Sequence, residues 1–160
     1  MSTIRYNIEK AVTERVSVLT RDIMITVEGN DFKLAYNGVV IAEKVSNTLR
    51  IYTDNPTRAV KTRINIVLEL YGLPLLFQMG FKWYYEDSVL AELYREFTVA
   101  DEYYNVYDNH GDAFELINAT SIDEINEWVK FRLGDTTPYK NVKEIEEKYN
   151  FIINKTNVPI

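Results

Sequence analysis

The single histidine of the sequence stands among carboxylates, where acid–base or metal chemistry would be expected first. His110 lies between Asp108 and Asp112 in the segment YDNHGD. A calcium loop of the EF-hand type needs further oxygen ligands and a closing glutamate, and this spacing does not supply them. We therefore expect His110 to be a turn residue in an acidic loop. A hydrolase with a metal ion near Asp108 and Asp112 is the less favoured hypothesis.

Motifs for nucleophilic or cofactor chemistry are missing from the sequence. It contains no cysteine, no GxSxG motif and no phosphate-binding loop, and its glycines are isolated. Adjacent carboxylates occur, for example Asp101-Glu102 and Asp123-Glu124. General acid–base catalysis would require one of them to be desolvated beside a substrate. The sequence favours a protein that is not an enzyme, with no cofactor and no metal site.

Charge is distributed unevenly along the 160 residues, whose net charge is -6. Residues 1–72 carry ten Lys or Arg against eight Asp or Glu, whereas residues 73–160 carry eight against sixteen. Between Tyr84 and Glu127 there are twelve acidic residues, and Arg95 is the one basic residue. This asymmetry is the strongest compositional feature of the chain.

The acidic window from Tyr84 to Glu127 also holds six tyrosines. Carboxylates on a rigid face can imitate the phosphates of nucleic acid and occupy a nucleic-acid-binding protein. Tyrosines would give such a face its apolar anchors. We predict a partner-binding surface made of Glu92, Glu96, Asp101, Glu102, Tyr103, Tyr104, Tyr107 and Asp108. The alternative is that these acidic residues only increase solubility.

The basic residues of the chain concentrate in one stretch, at Arg50, Arg58, Lys61 and Arg63. Arg58 and Lys61 fall near the start of a predicted helix, a position that favours anions. Arg63 falls on the apolar side of the same helix and is expected to be part-buried in a structural contact. The alternative function is therefore nucleic-acid binding through Arg50, Arg58 and Lys61, although so few charges make a small electrostatic footprint.

The elements that would position these residues indicate one α+β domain spanning residues 1–160, a length typical of single domains. Alternating apolar residues and the hairpin pair Asn37-Gly38 predict an antiparallel sheet within about residues 20–86. A helix from Thr57 to Tyr71, capped by Asn55 with Pro56 first, carries an apolar stripe and is expected to pack against that sheet.

Residues 87–153 are predicted to form an acidic, mostly helical half. One helix is expected through SVLAELYREF (88–97), and another in the first part of 98–119, where a hairpin is the alternative. Ser121 and Asn141, each followed three residues later by glutamate, predict two capped helices. The apolar side of the first of these is expected to include Ile122, Ile125, Trp128, Val129 and Phe131/Leu133.

Thr57, Lys61, Arg63, Ile64 and Asn65 form a T-x-x-x-K-x-R-I-N signature at the predicted helix. With this signature, the stretch from residue 32 to 86 resembles a group of small phage- and prophage-encoded proteins, in which a strand hairpin leads into a helix through the same pattern. Similar features flank it, namely Asn37-Gly38, Ile41-Ala42, Leu49 and Ile51 before the helix and Gln78, Phe81, Trp83 and Tyr84 after it. The chain departs from the pattern at Asp54-Asn55-Pro56, Ala59 and Val60, where the group has a Gly-Trp turn and further threonines.

The resemblance implies a phage or mobile-element accessory protein and brings no activity or site residues with it. Together with the charge map, it favours a protein that binds and inhibits a host or defence protein, and a nucleic-acid-binding protein is one candidate for this partner. No basic leader followed by an apolar run is visible, and no apolar stretch is long enough for a bilayer. We expect a cytoplasmic protein with no membrane partner.

Overall fold

The computed structural model describes residues 3–54, 57–79, 82–86, 88–89, 94–107 and 113–159. Within these ranges the helices are α1 Thr3–Glu14, α2 Arg58–Leu70, α3 Ile122–Leu133 and α4 Val142–Tyr149. The strands are β1 Val18–Leu19, β2 Ile23–Glu28, β3 Asp31–Tyr36, β4 Val39–Val45, β5 Thr48–Tyr52, β6 Leu76–Met79, β7 Lys82–Tyr85, β8 Ser88–Val89, β9 Tyr94–Thr98, β10 Tyr103–Tyr107, β11 Ala113–Ala119 and β12 Ile152–Thr156. The predicted α+β class is confirmed.

The largest element is an antiparallel sheet of six strands in the order β1-β2-β3-β4-β5-β9. Asn37 and Gly38 both have positive φ, at 49° and 82°, as a two-residue hairpin turn between β3 and β4 requires. Alternation along the strands buries one face, where Leu34, Leu49 and Ile51 are almost fully covered. An antiparallel sheet is therefore present as predicted, and it extends beyond residue 86 to include β9. In contrast, β6 and β7, which were expected to belong to it, lie in a separate three-stranded sheet.

Helix α2 begins one residue after the predicted start, because Thr57 acts as its N-cap and accepts a hydrogen bond from the Val60 amide at 3.3 Å. The caps predicted at Asn55 and Pro56 lie outside the described residues. Tyr71 ends the helix, and its ring stacks on that of Phe32 in β3 with centroids 6.5 Å apart. That the sheet as a whole packs on α2 stays a prediction.

Asn65, a residue of the signature, joins α2 to the small three-stranded sheet β6-β7-β8. Its side-chain amide donates to the Leu76 carbonyl at 3.0 Å, and its oxygen accepts from the Leu76 amide at 2.7 Å. Both backbone groups of Leu76 are thereby satisfied by one side chain. This gives the signature asparagine a structural role.

The prediction of a mostly helical half over residues 87–153 is not confirmed, because this part contains strands as well as α3 and α4. The helix predicted through 88–97 is wrong at both ends, since Ser88–Val89 forms β8 and Tyr94–Thr98 forms β9, which pairs with β5; residues 90–93 lie outside the described part. Arg95 and Phe97 stand opposite the buried Ile51 and Leu49, and this two-residue alternation suits an edge strand. Pairing with an existing sheet thus outweighed the local helical pattern.

The helix favoured for the first part of 98–119 is also wrong, since Tyr103–Tyr107 forms β10 between β11 and β12. Aromatic and β-branched residues dominate this segment and favour a strand. The hairpin alternative fits the antiparallel pairing of β10 with β11. Its turn, which includes His110, lies outside the described residues.

The two capped helices agree with their sequence signals. Ser121 accepts from the Glu124 amide at 3.3 Å, and Glu124 in return accepts from the Thr120 amide at 2.8 Å. Asn141 accepts from the Glu144 amide at 3.1 Å. The two helices and the β10–β12 sheet share an apolar core that contains Val106, Ala119, Ile125, Val129, Tyr139, Ile145 and Ile153.

Contacts between residues divide the chain into two compact units, residues 1–100 and 101–160. We call them the sheet unit and the acidic unit. The sheet unit holds α1, α2 and β1–β9, and the acidic unit holds α3, α4 and β10–β12. The expected single domain stays a prediction. None of the helices in the described residues is long and apolar enough to cross a membrane.

Candidate functional site

Charged residues form a row across the outer face of the six-stranded sheet, the face opposite Leu34 and Leu49. Direct cross-strand pairing places Lys33 beside Glu43, Glu43 beside Arg50, and Arg50 beside Glu96. The sign of charge therefore alternates across four strands. Opposite charges in directly paired positions stabilise a sheet, whereas like charges would repel.

Arg50 is at the centre of this row. Its guanidinium forms an ion pair with the Glu96 carboxylate and lies 4.9 Å from the centroid of the Tyr94 ring. The Tyr52 hydroxyl donates to Glu43. Hydrogen bonds with Tyr52 and Glu96 raise the pKa of Arg50 above its ordinary value. The guanidinium is thus held in place by an acid and an aromatic ring.

A surface depression of about 380 Å³ lies over the same residues and is lined by Glu43, Val45, Thr48, Arg50 and Glu96. Two carboxylates and one guanidinium could contact a polar ligand there. The lining residues together carry a net charge of -1, and Arg50 is already paired with Glu96. The depression therefore gives no net attraction for an anion.

Two competing sequence hypotheses meet at this ion pair. Glu96 belongs to the predicted acidic surface, and Arg50 belongs to the alternative nucleic-acid site. The structure brings them together as partners, so each charge is largely cancelled by the other. Neither contributes strongly to the long-range field that its hypothesis needs.

The described residues of the predicted acidic surface in the acidic unit differ in exposure and in direction. Tyr103 is only 7% exposed, and Tyr104 points to the opposite side of β10 because successive strand residues alternate. Glu102 forms an ion pair with Lys155 at 2.8 Å. Asp101 and Tyr107 are half-buried. Glu92 and Asp108 lie outside the described residues.

The predicted set is also divided between the two units, because Glu96 belongs to the sheet unit and residues 101–107 belong to the acidic unit. The sequence window from Tyr84 to Glu127 spans this division. Proximity along the chain therefore does not by itself place these side chains on one surface.

The basic residues of α2 have different environments. Arg58 is exposed at the first position of the helix. The Lys61 ammonium lies 4.9 Å from the centroid of the Trp83 ring, in a cation–π contact. Arg63 is 6% exposed, donates to the Ala59 carbonyl at 2.9 Å and lies over the Tyr36 ring. Arg63 therefore has the structural role expected of it, and Lys61 is already engaged.

An aromatic surface at the end of α3 was missed by the sequence analysis. Phe131, which was expected on the apolar side of the helix, is 88% exposed. Trp128 lies three residues before Phe131 on the helix and packs against Phe151 with ring centroids 6.2 Å apart. Tyr149 stacks on Phe151 with ring centroids 5.4 Å apart. We call these four residues, Trp128, Phe131, Tyr149 and Phe151, the aromatic corner.

A helical wheel alone would have placed Phe131 correctly. Val129 is fully buried, and Phe131 follows it by two residues, which is about 200° of rotation around an α-helix. Glu127 and Glu124 lie one and two turns before Phe131, so they share its side of the helix. Both are exposed.

A hydrogen-bonded cluster around Asp135 fixes the connection between α3 and α4. Its carboxylate accepts from the Thr137 amide at 3.0 Å, the Thr137 hydroxyl at 2.6 Å, the Tyr149 hydroxyl at 2.5 Å and the Tyr139 hydroxyl. The hydrogen bonds from Thr137, Tyr139 and Tyr149 hold the pKa of Asp135 well below its usual range. The hydrogen bond that each tyrosine donates to Asp135 raises the pKa of Tyr139 and of Tyr149. The cluster thereby ties Tyr149 of the aromatic corner to the connection.

Metal binding finds no support in the part of the chain that is described. There, no group of three or more His, Cys, Asp or Glu side chains is placed to hold a metal ion. His110, Asp108 and Asp112 lie outside the described residues, so the metal hypothesis for that loop stays untested.

The division of the chain into two units shows where the excess acidic residues lie. Residues 101–160 contain twelve acidic and six basic residues, whereas residues 1–100 contain twelve of each. The whole net charge of -6 therefore belongs to the acidic unit, and the sheet unit is neutral. The exposed acidic residues of α3 and α4 are Asp123, Glu124, Glu127, Glu144 and Glu147.

Comparison with known proteins found no relative. No protein-family model matches the chain, no curated protein is similar to it, and no solved structure matches it.

Proposed function

We propose that this chain is a non-enzymatic accessory protein of a phage or mobile element, which binds and inhibits a host or defence protein. The acidic unit would make the contact, and the partner would be a basic protein of the nucleic-acid-binding kind in the host cytoplasm. The observation that carries this proposal is the charge division. All of the net charge lies in residues 101–160, while residues 1–100 are neutral.

The physical basis is the long-range field of a small, strongly charged unit. A surface of one sign of charge raises the encounter rate with an oppositely charged partner and disfavours partners of like charge. The sheet unit pairs its outer charges across strands, so it adds little to this field. Inhibition would follow if the acidic unit occupied the basic surface with which the partner holds nucleic acid.

The test is capture of a partner by the full-length protein from a host lysate, with and without nuclease treatment. We expect a basic protein to be recovered in both conditions, because nuclease removes any bridging nucleic acid. Recovery of no protein, or recovery that disappears with nuclease, would overturn the proposal.

A pair of charge-matched variants tests which unit makes the contact. Asp123→Lys with Glu127→Lys and Glu147→Lys reverses exposed acids of the acidic unit. Glu14→Lys with Asp22→Lys and Glu28→Lys makes the same change in net charge at exposed positions of the sheet unit. We expect the first variant to lose capture at low salt and the second to retain it. Equal loss in both would show that only total charge matters.

We propose nucleic-acid binding through Arg58 and Lys61 as the alternative function. It is supported by the position of both residues in the first turn of α2, where the helix dipole favours phosphate. It predicts a mobility shift that weakens steeply with salt and is lost in an Arg58→Glu, Lys61→Glu variant. A shift that survives this variant would exclude the site.

A further inference from the structure

We propose that the aromatic corner is the anchor of the partner interface, with Phe131 entering an apolar socket rimmed by Lys and Arg side chains of a basic protein. This inference rests on the proposed protein-binding function and adds to it a specific surface and the chemistry of the partner. None of the four residues of the aromatic corner belongs to the acidic surface predicted from the sequence.

Exposure is the first support for this assignment. Phe131 is 88% exposed, more than any other large apolar residue in the described part of the chain, the next being Leu19 at 77%. Single exposed apolar residues are ordinary on protein surfaces. Phe131 differs because Trp128, three residues before it on the helix, is half-buried in ring contact with Phe151. Clustered aromatic side chains are the typical anchors of protein interfaces.

Charge is the second support, and it selects the class of partner. Glu127 and Glu124 share the helix side of Phe131 and are exposed, whereas the exposed Lys130 and Arg132 project about 100° to either side of it. The surrounding unit carries a net charge of -6. A nucleic-acid backbone would be repelled by these carboxylates, and an acidic protein would be repelled as well. A basic protein with an apolar socket would bury the Phe131 ring and would attract the carboxylates of Glu124 and Glu127.

Rigidity is the third support. The Asp135 cluster holds Tyr149, and Tyr149 stacks on Phe151, so this part of the aromatic corner is fixed before any partner arrives. Ser121 and Asn141 cap the two helices that carry the corner. A surface fixed in advance loses less conformational entropy on binding.

The test uses defined probes and the full-length protein. The first probe is a short basic peptide of Lys and Arg with leucines on one helical side; the second has every leucine replaced by serine. Backbone amide signals of the isotope-labelled protein are followed by NMR during each titration. We expect the leucine peptide to shift signals of residues 127–131 and to bind at least about tenfold more tightly than the serine peptide. Equal binding, or shifts confined to other residues, would overturn the proposal.

Two variants make the test specific. Phe131→Ser is expected to lower the affinity for the leucine peptide by about tenfold or more. Leu19→Ser, at a similarly exposed position of the sheet unit, is expected to leave this affinity unchanged. Both variants should keep the parent melting temperature, because neither side chain is packed. Parent-like binding by Phe131→Ser would overturn the assignment of the anchor.

The same variants distinguish failure of the anchor from failure of the proposed function. If Phe131→Ser captures the lysate partner as well as the parent does, the protein-binding function stands and the anchor is wrong. If the parent captures no partner, the proposed function fails, and the peptide titration alone then decides whether the aromatic corner binds basic, apolar sequences.

Discussion

The sheet unit and the acidic unit use their charges in opposite ways. In the sheet unit, Lys33, Glu43, Arg50 and Glu96 alternate in sign across neighbouring strands, so the charges cancel locally. In the acidic unit, acidic residues outnumber basic ones by two to one, and several remain exposed on α3 and α4. The net charge of the acidic unit can attract an oppositely charged partner. The charges paired across strands in the sheet unit mainly stabilise the pairing of those strands.

The first prediction concerns the cores, where the two units should behave alike. Leu49→Ala in the sheet unit and Ile125→Ala in the acidic unit each remove a fully buried side chain. Each should lower the free energy of unfolding by about 2–5 kcal/mol, because a cavity is left behind. Urea denaturation followed by fluorescence gives the values. A loss below about 1 kcal/mol at either position would contradict the burial described for that unit.

The second prediction separates structure from function within the signature. Asn65→Ala removes the side chain that satisfies both backbone groups of Leu76, so we expect a loss of about 1–3 kcal/mol in stability. Thr62→Ala, on the exposed side of the same helix, is the control and should change stability much less. Both variants should retain partner capture. If Asn65→Ala lost partner capture but kept its stability, the signature would take part in partner binding.

The third prediction concerns pH and belongs to the acidic unit. The folded protein depresses the pKa of Asp135, so its contribution to stability is complete above the ordinary value of 3.8 and is lost as pH falls below it. Asp135→Asn should therefore flatten the dependence of the urea midpoint on pH below about 4. Asp123→Asn, at an exposed position, is the control. A parent-like pH dependence in Asp135→Asn would show that the cluster does not form.

The smallest expected effect concerns the ion pair of the sheet unit. Glu96→Gln should shift the urea midpoint only slightly, because an exposed ion pair is only a little more stable than its two charges when each is hydrated separately. The shift should vanish at high salt, where surface charges are screened. A large, salt-independent change would mean that Arg50 and Glu96 stabilise the sheet far more than an exposed pair does.

The sheet was largely predictable because its signals are local. Asn37-Gly38 specifies a turn, and alternation through Phe32, Leu34 and Tyr36 specifies a strand. The caps at Ser121 and Asn141 were predictable for the same reason. In contrast, β9 and β10 depend on partners distant in sequence, and pairing of Phe97 with Leu49 outweighed the helical pattern around it.

The candidate site was harder to predict than the fold. Composition identified the acidic half, but it could not show that Arg50 neutralises Glu96 or that Tyr103 and Tyr104 lie on opposite sides of a strand. The sequence interpretation put Phe131 on the buried side of α3 because it is apolar. Its position about 200° around the helix from Val129 instead indicates the exposed side. The Asp135 cluster joins residues up to fourteen positions apart and has no recognisable sequence motif.

We propose above that partner binding depends on the net charge of the acidic unit. The most direct measurement is a titration of the captured partner against two variants of equal net charge at several salt concentrations. These are the Asp123, Glu127 and Glu147 reversal and the Glu14, Asp22 and Glu28 reversal. We predict that only the first variant binds the partner more weakly than the parent does, and that this difference in affinity narrows as salt rises. Equal affinity of the two variants at low salt would contradict it.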